Sequence, residues 1–258
     1  MNSFLIGLQF LTRIFVVKQS VWTEKSFGES VKFFPAIGAV VGSICAVVVG
    51  TLNFLTSGEL PSIVAAVGFA ALILLTGGIH CDGLMDSADG LFSGREREKI
   101  LDIMKDSRTG SFGVVSMILI AALDIAALTE LARLSTLNLC AAIFAAPIIG
   151  RLMMVATIGL FPYARPEGTG KAFAKFTTRR TIIFAAIEAA ALIALLLFAE
   201  VKFFVTASAA TFFASFVTWR FATFATEKIG GVTGDIYGAV TTLSETVALI
   251  IFAFACVL

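Results

Sequence analysis

The chain has 258 residues, of which 58% are hydrophobic and only 14% are charged, and its mean hydropathy is +0.97. A soluble globular chain usually carries about a quarter charged residues, so this composition excludes that class and indicates an integral membrane protein. The net charge of +1 says little, because the distribution of charge matters more in a membrane protein, and no nucleic-acid partner is expected. The four cysteines show no paired spacing, which argues against a zinc cage or a disulfide framework.

The N-terminal stretch FLIGLQFLTRIF is predicted to form a short helix at the membrane interface. It is about half a membrane thick, and one helical face would carry Phe4, Leu5, Leu8, Leu11 and Phe15. The basic residues Arg13 and Lys18 follow the apolar stretch rather than precede it, so it does not have the pattern of a signal peptide.

Seven segments further along the chain are long and apolar enough to cross a membrane, which takes about 20 mostly apolar residues. They are predicted at 33–56, 61–78, 111–131, 137–160, 181–198, 203–226 and 239–257. The sequence has no internal repeat. It therefore predicts an all-α transmembrane helix bundle that forms one domain over residues 1–258, with a lipid bilayer as its surroundings. Small residues on the first span are typical of close helix packing, inside the chain or in a homo-oligomer: Gly38, Gly42 and Ala46.

The distribution of basic residues predicts the orientation of the bundle. Of the 19 Lys and Arg residues, only Arg133 and Lys202 fall in the first, third and fifth connections, and every second connection is basic. By the positive-inside rule, the N-terminus, the loops 79–110 and 161–180 and the connection around 220–238 are cytoplasmic, which suits a bacterial inner membrane. Polar chemistry thus gathers at one face. The few charges inside the spans are Asp124, Arg151 and Glu188. Asp124 and Glu188 are interpreted as lying against a neighbouring helix or near an interface.

The loop after the second span begins with GGIHCDGLMDSADGLFSG, in which Asp82, Asp86 and Asp89 are four and three residues apart. On a helix this spacing stacks the three carboxylates on one face, where they repel each other unless a cation lies among them. Mg²⁺ prefers oxygen ligands and completes its shell with water and substrate phosphates. The stretch therefore predicts a magnesium site. The only histidine, His80, is interpreted as structural.

A second pair of carboxylates, Asp102 and Asp106, follows in REREKILDIMKDSRTG, which is predicted to be a polar helix continuing into the third span. Two facing acidic helices could hold two divalent ions, an arrangement that activates a nucleophile and neutralises a leaving phosphate. Lys105 and Arg108 flank Asp106 and are candidates for binding phosphate. The charges of residues 96–99 are interpreted as an ordinary solvated face.

Two further cytoplasmic loops combine glycines with polar residues, as phosphate-binding turns do. PYARPEGTGKAFAKF contains Arg165, and EKIGGVTGDIYGAV contains Gly231, Thr233 and Asp235. Taken together, the residues predict a membrane enzyme that uses magnesium at its cytoplasmic face and transfers a group from a diphosphate substrate.

Five motifs in order along the chain resemble the cobalamin synthase family, the adenosylcobinamide-GDP ribazoletransferases. They are LQFLTRI, GGIHCDGLMDSADGLFSG, IMKDSRTGSFG, YARPEGTG and GGVTGDIYGA. The resemblance implies a magnesium-dependent phosphotransferase of the last steps of vitamin B12 biosynthesis. It would join adenosylcobinamide-GDP to α-ribazole or its 5′-phosphate and release GMP.

The resemblance also implies roles for the site residues. The catalytic residues would be Asp106 and Asp89, with Asp106 binding metal or accepting the proton of the attacking hydroxyl. The metal ligands would be Asp82, Asp86, Asp89 and Asp106. The substrate-binding residues would be Lys105, Arg108, Arg165, Gly231, Thr233 and Asp235. The family is more distantly similar to the CDP-alcohol phosphotransferases. Their motif places a further metal ligand at Asp102, but the motif breaks here at Ser93, Gly94 and Glu98, which leaves Asp102 as the doubtful ligand.

Two other functions fit parts of the pattern. A membrane prenyltransferase also uses magnesium and aspartates to hold a diphosphate, but its two acidic motifs lie far apart in the chain, whereas both clusters here lie within 82–106. A cation transporter would be expected to show polar residues at mid-membrane and symmetry between its halves. Neither feature is visible in this sequence.

Overall fold

The computed structural model describes residues 3–18 and 23–257, and this part of the chain is helical with one isolated bridge between Tyr163 and Val232. The helices are α1 Ser3–Leu11, α2 Glu24–Gly28, α3 Phe34–Leu55, α4 Pro61–Thr76, α5 Ile79–Leu91, α6 Arg97–Ile103, α7 Ser111–Leu134, α8 Thr136–Leu160, α9 Thr169–Phe176, α10 Arg179–Ala194, α11 Val201–Ile229 and α12 Gly234–Val257. Short 3₁₀ turns at Glu29–Phe33 and Leu195–Phe198 extend α3 and α10.

Six of these helical segments are long and apolar enough to cross a membrane, and α4 with α5 supplies a seventh crossing if the pair is counted as one broken span. The prediction of an all-α membrane bundle is confirmed. The second predicted span differs from expectation, because α4 has only 16 residues and α5 is bent 90° away from it. Two consecutive glycines with left-handed backbones, Gly77 (φ 67°) and Gly78 (φ 75°), make this bend.

The N-terminal helix α1 packs against protein more than its predicted apolar face indicated. Leu8 and Leu11 are buried as expected, but Ile6 is buried too. A Cβ at Gly7 would lie 2.8 Å from the side chain of Ile37 on α3. Phe15 lies beyond the end of α1 and is 74% exposed. The short helix is therefore an integral wall of the bundle near the start of α3.

The centre of the bundle is α8, whose apolar stretch is 78% buried. Glycines allow its neighbours to approach at backbone distance. A Cβ at Gly42 of α3 would lie 2.5 Å from the Phe144 carbonyl oxygen of α8, and one at Gly150 of α8 would lie 3.0 Å from the Thr241 carbonyl oxygen of α12. The predicted close packing at Gly42 is thus used inside the chain, and a homo-oligomer stays a prediction.

Charged groups inside the spans are packed against neighbouring helices. Arg151 on α8 is fully buried and forms an ion pair with Glu245 on α12, which was not predicted from the sequence. Glu188 on α10 accepts a hydrogen bond from the Ala36 N–H in the first turn of α3, at 3.1 Å. The prediction for Glu188 is confirmed, and Asp124 is buried as well.

The loops that were predicted to share one face are in contact at one end of the bundle. Ala164 donates to the Val232 carbonyl and Val232 donates to the Pro162 carbonyl, both at 2.8 Å. Arg97 of α6 donates to the carbonyl oxygens of Ile229 and Ala164 at 2.8 and 3.3 Å. This end of the bundle therefore joins the segments 79–110, 161–176 and 229–238.

Candidate active site

The three aspartates of α5 lie on a helix, as predicted, but each has different surroundings. Asp82 is exposed, Asp86 is half-buried, and Asp89 is only 8% exposed. Asp86 interacts electrostatically with the carboxylates of Asp82, Asp235 and Asp89, and Arg165 is the cation that offsets them. The face of α5 that carries Asp82 and Asp86 is therefore strongly acidic.

Asp89 connects α5 to the beginning of α7. Its Oδ2 accepts a hydrogen bond from the Gly110 N–H at 2.6 Å, and its Oδ1 accepts one from the Gly113 N–H at 2.8 Å. A helix N-terminus has unpaired N–H groups and a partial positive charge, so a buried carboxylate is stabilised there. A Cβ at Gly110 would lie 2.6 Å from Asp89 Oδ1, and one at Gly113 would lie 2.5 Å from Oδ2. Asp89 thus caps α7 from another helix, while its metal-binding and catalytic roles stay predictions.

Asp106 lies outside the helix on which it was predicted. The helix α6 ends at Ile103, so Asp102 and Asp106 do not stack on a common face. Asp106 Oδ1 accepts the backbone N–H of Arg108 at 3.0 Å, a local turn that competes with helix continuation. Both of its oxygens also accept from the Arg108 guanidinium. Hydrogen bonding to Arg108 lowers the pKa of the Asp106 carboxyl from its ordinary value of 3.8 to about 2. Lys105 beside it is exposed.

Arg165 lies in the loop after α8 and Asp235 lies in the first turn of α12, 70 residues further along the chain. They form an ion pair, with 2.9 Å between Nη2 and Oδ2. Both side chains are mostly buried, and the hydroxyl of Thr233 donates to the same oxygen of Asp235 at 3.2 Å. Gly231 lies where the chain crosses Pro162 so closely that a Cβ would overlap the Pro162 carbonyl. The structure therefore brings together four of the residues predicted to bind substrate.

Another glycine contact places these four residues beside α5. A Cβ at Gly83 would lie 2.6 Å from the Asp235 carbonyl oxygen and 3.1 Å from the Cα of Gly238. The backbone at the start of α12 therefore fills the space beside Gly83. As a result, the acidic face of α5 and the Arg165–Asp235 pair form one site.

Asp82 borders two cavities at this end of the bundle. A cleft of about 600 Å³ lies between α1, α4, α5 and α7, with Arg13 and Asp82 on its walls. A smaller cavity of about 150 Å³ is lined by His80, Asp82, Asp235 and Tyr237. His80 is buried and lies at the base of this site. Sequence reasoning left Arg13 out of the site, because a single basic residue before the first span is equally typical of a membrane-surface anchor.

The side chains of the site fit a magnesium ion that is bound by only one or two protein carboxylates. Among the residues that the structure describes, no three His, Cys, Asp or Glu side chains lie close enough to hold a metal ion. Mg²⁺ often binds through one or two carboxylates, with water and substrate phosphates completing its shell. Asp82 and Asp86 fit that requirement, because neither carboxylate forms a hydrogen bond or ion pair within residues 3–18 and 23–257.

These features define a multi-pass membrane protein with an acidic site, paired cations and adjoining clefts at one end of its helix bundle. The chain matches the family described as cobalamin-5-phosphate synthase over residues 3–253. It belongs to that family, as its motifs predicted.

Relatives align with it over nearly their whole length. It is 37% identical to the adenosylcobinamide-GDP ribazoletransferase of Desulforamulus reducens over 245 residues, covering 95% of this chain and 93% of the relative. It is 39% identical to the protein of the same name from Acetivibrio thermocellus over 249 residues, covering 96% of each chain. No solved structure matches the protein.

Proposed function

We propose that this protein is an adenosylcobinamide-GDP ribazoletransferase. It would join adenosylcobinamide-GDP to α-ribazole, or to α-ribazole 5′-phosphate, and yield adenosylcobalamin, or its 5′-phosphate, with release of GMP. Support comes from the full-length similarity to relatives of that name. The observation that carries the proposal to this chain's own residues is the pair Asp82 and Asp86. Their carboxylates have no hydrogen bond or ion pair in the described part of the chain, and they lie beside the Arg165–Asp235 ion pair.

The reaction breaks the phosphoanhydride bond of the diphosphate and forms a phosphoester to the acceptor, so negative charge on phosphate oxygens must be neutralised. We assign Asp82 and Asp86 to hold Mg²⁺, which when bound supplies charge neutralisation at the phosphates. Lys105 is exposed and Arg165 lies beside the acidic face, so both are assigned to bind phosphate oxygens. The part of Asp106 is to hold Arg108 in its turn, because a carboxyl with a pKa of about 2 is a weak general base at neutral pH.

The site is assigned to the cytoplasmic side of a bacterial inner membrane, with the N-terminus inside. The support is the distribution of Lys and Arg, since the basic connections are the ones that meet at the end of the bundle with the acidic site. On that side both water-soluble substrates can reach the clefts without crossing the bilayer.

The test is transfer by the purified protein in detergent or liposomes, from adenosylcobinamide-GDP and α-ribazole, with and without Mg²⁺. We expect magnesium-dependent formation of adenosylcobalamin and GMP in equal amounts. Asp86→Asn should lower kcat at least about 100-fold, a typical cost of removing a group that stabilises transition-state charge. The matched control is Glu98→Gln, since Glu98 is an exposed acid on α6 that pairs with Arg97 on the surface.

The result that would overturn the proposal is absence of product from folded wild-type protein with Mg²⁺ present. In that case the next substrates to test are polyprenyl diphosphates, which the prenyltransferase alternative requires. Equal activity of Asp86→Asn and wild type would leave the reaction standing and remove the metal assignment.

A further inference from the structure

Arg13 is held in a defined position at the bend between α4 and α5. Its backbone N–H donates to the Leu75 carbonyl near the end of α4, at 2.7 Å. Its side chain lies across Gly77, where a Cβ would overlap the guanidinium group. Gly77 also has a left-handed backbone, with φ 67°. The bend therefore holds the side chain of Arg13, and residue 77 must be glycine because any Cβ there would occupy the space of the guanidinium group.

In the described part of the chain, Arg13 forms no ion pair, and this separates it from the other arginines of the site. Arg108 is paired with Asp106, Arg165 is paired with Asp235, and Arg97 donates to main-chain carbonyls. Much of the positive charge around the acidic site is thus already neutralised. Arg13 is exposed, and its guanidinium is available to a ligand.

The cleft that Arg13 borders also contains Asp82. Its volume is about 600 Å³, and its remaining walls include Gln9, Thr76 and Met85. A volume of this order is typical of a small-molecule site. An unpaired guanidinium and an unpaired carboxylate on the walls of one cleft suit a ligand whose anionic oxygens contact the arginine and reach the acid through a cation.

We infer that this cleft receives the diphosphate of the substrate and that Arg13 binds its phosphate oxygens. The planar guanidinium presents N–H donors in a fork that matches phosphate geometry, which a lysine cannot reproduce. The inference rests on the proposed function for the identity of the substrate. It adds the N-terminal segment to the site, with Arg13 on the wall of the cleft that also carries Asp82.

The test compares Arg13→Ala and Arg13→Lys with wild type in two measurements. The first is direct binding of guanosine diphosphate to purified protein in neutral detergent with Mg²⁺. The second is KM for each substrate in the transfer reaction. We expect Arg13→Ala to weaken guanosine diphosphate binding and to raise KM for adenosylcobinamide-GDP by about tenfold or more, the usual effect of losing a charge-assisted hydrogen bond. KM for α-ribazole should change less than about twofold, and Arg13→Lys should fall between wild type and Arg13→Ala.

The matched control is Arg95→Ala, because Arg95 is exposed and lies after the acidic helix, outside the cleft. Thermal unfolding of each variant shows whether the bundle is intact. The Arg13 backbone hydrogen bond survives both substitutions. Unchanged guanosine diphosphate binding in folded Arg13→Ala, or an equal loss in Arg95→Ala, would overturn the inference.

Two further outcomes separate this inference from failure of the proposed function and from binding of lipid phosphate by Arg13. Arg13-dependent binding of guanosine diphosphate without turnover would leave the cleft standing and remove the proposed function. Binding to wild type that vesicles of phosphatidylglycerol abolish and vesicles of phosphatidylcholine do not would show that Arg13 holds lipid phosphate instead, which also overturns the inference.

Discussion

Three aspartates of the same helix differ because each meets a different neighbour. Asp82 is exposed and Asp86 lies among other carboxylates, whereas Asp89 meets the N-terminus of α7. Like charges at this spacing repel each other on a bare helix. Asp89 instead caps α7, where two N–H donors and the helix dipole offset its charge, and this lowers the repulsion. The acidic face that remains is a pair, which matches the needs of a magnesium ion that shares its shell with phosphates.

We expect Asp89→Ala to lower the free energy of unfolding by about 2 kcal/mol, because it leaves two N–H groups at the α7 start without acceptors. Asp89→Asn should lower the free energy of unfolding by less, since the amide oxygen still accepts one of the two hydrogen bonds. The measurement is thermal unfolding in detergent. The control is Asp82→Ala, because the Asp82 carboxylate is exposed and forms no hydrogen bond or ion pair within residues 3–18 and 23–257. If Asp89→Ala unfolds like wild type and yet is inactive, Asp89 acts in the chemistry rather than as a cap.

At the same scale, the sequence predicted which residues carry charge but not which of them neutralise each other. The spacing of Asp82, Asp86 and Asp89 was enough to predict the helix, because periodicity is local. The capping of α7 by Asp89 depends on a contact 21 residues away in the chain. The signal that could have indicated it was the pair Gly110 and Gly113 at the start of a span, where no capping side chain is present.

At the scale of elements, a turn separates α6 from α7, although the sequence predicted one continuous helix there. A run of polar residues with acids four apart favours one continuous helix, and α6 was predicted to run into the third span. Asp106 instead bonds to the N–H two residues on, which offers the backbone an alternative to the helix. The span boundaries were predicted well because burial in lipid requires long apolar runs, whereas the turn depends on one side-chain contact.

We expect Asp106 to contribute nothing to the pH dependence of the reaction. Its pKa is lowered to about 2 by hydrogen bonding to Arg108, so the stabilisation by this pair is complete above the ordinary value of 3.8 and is lost only as pH falls through about 2. Asp106→Asn should therefore lower kcat/KM by the same factor from about pH 5 to about pH 9. The measurement is the pH profile of kcat/KM for wild type, Asp106→Asn and the control Glu98→Gln. A limb of the profile that disappears only in Asp106→Asn would show that this carboxyl titrates during catalysis.

At the scale of the whole molecule, a buried ion pair joins the two helices that define the centre of the bundle. Arg151 of α8 and Glu245 of α12 have side chains that are 1% and 13% exposed. Charges inside a membrane bundle are costly unless they are paired, and they commonly mark either a functional pathway or a fixed helix contact. Here α12 also carries Asp235 into the site in its first turn. The position of the acidic site therefore depends on how α8 and α12 are held together.

Arg151→Met should destabilise the protein by about 3 kcal/mol or more, because it leaves Glu245 buried without its partner. The double variant Arg151→Met with Glu245→Gln should recover a large part of that loss, since no uncompensated charge remains. The measurement is a double-mutant cycle on thermal unfolding in detergent, together with transfer activity. The control is Arg133→Met, because Arg133 pairs with Glu130 at 2.7 Å on an exposed surface and should cost less than about 1 kcal/mol. Recovery of both stability and activity in the double variant would mean that the pair only holds the helices. Recovery of stability without activity would mean that the charges themselves take part in the function.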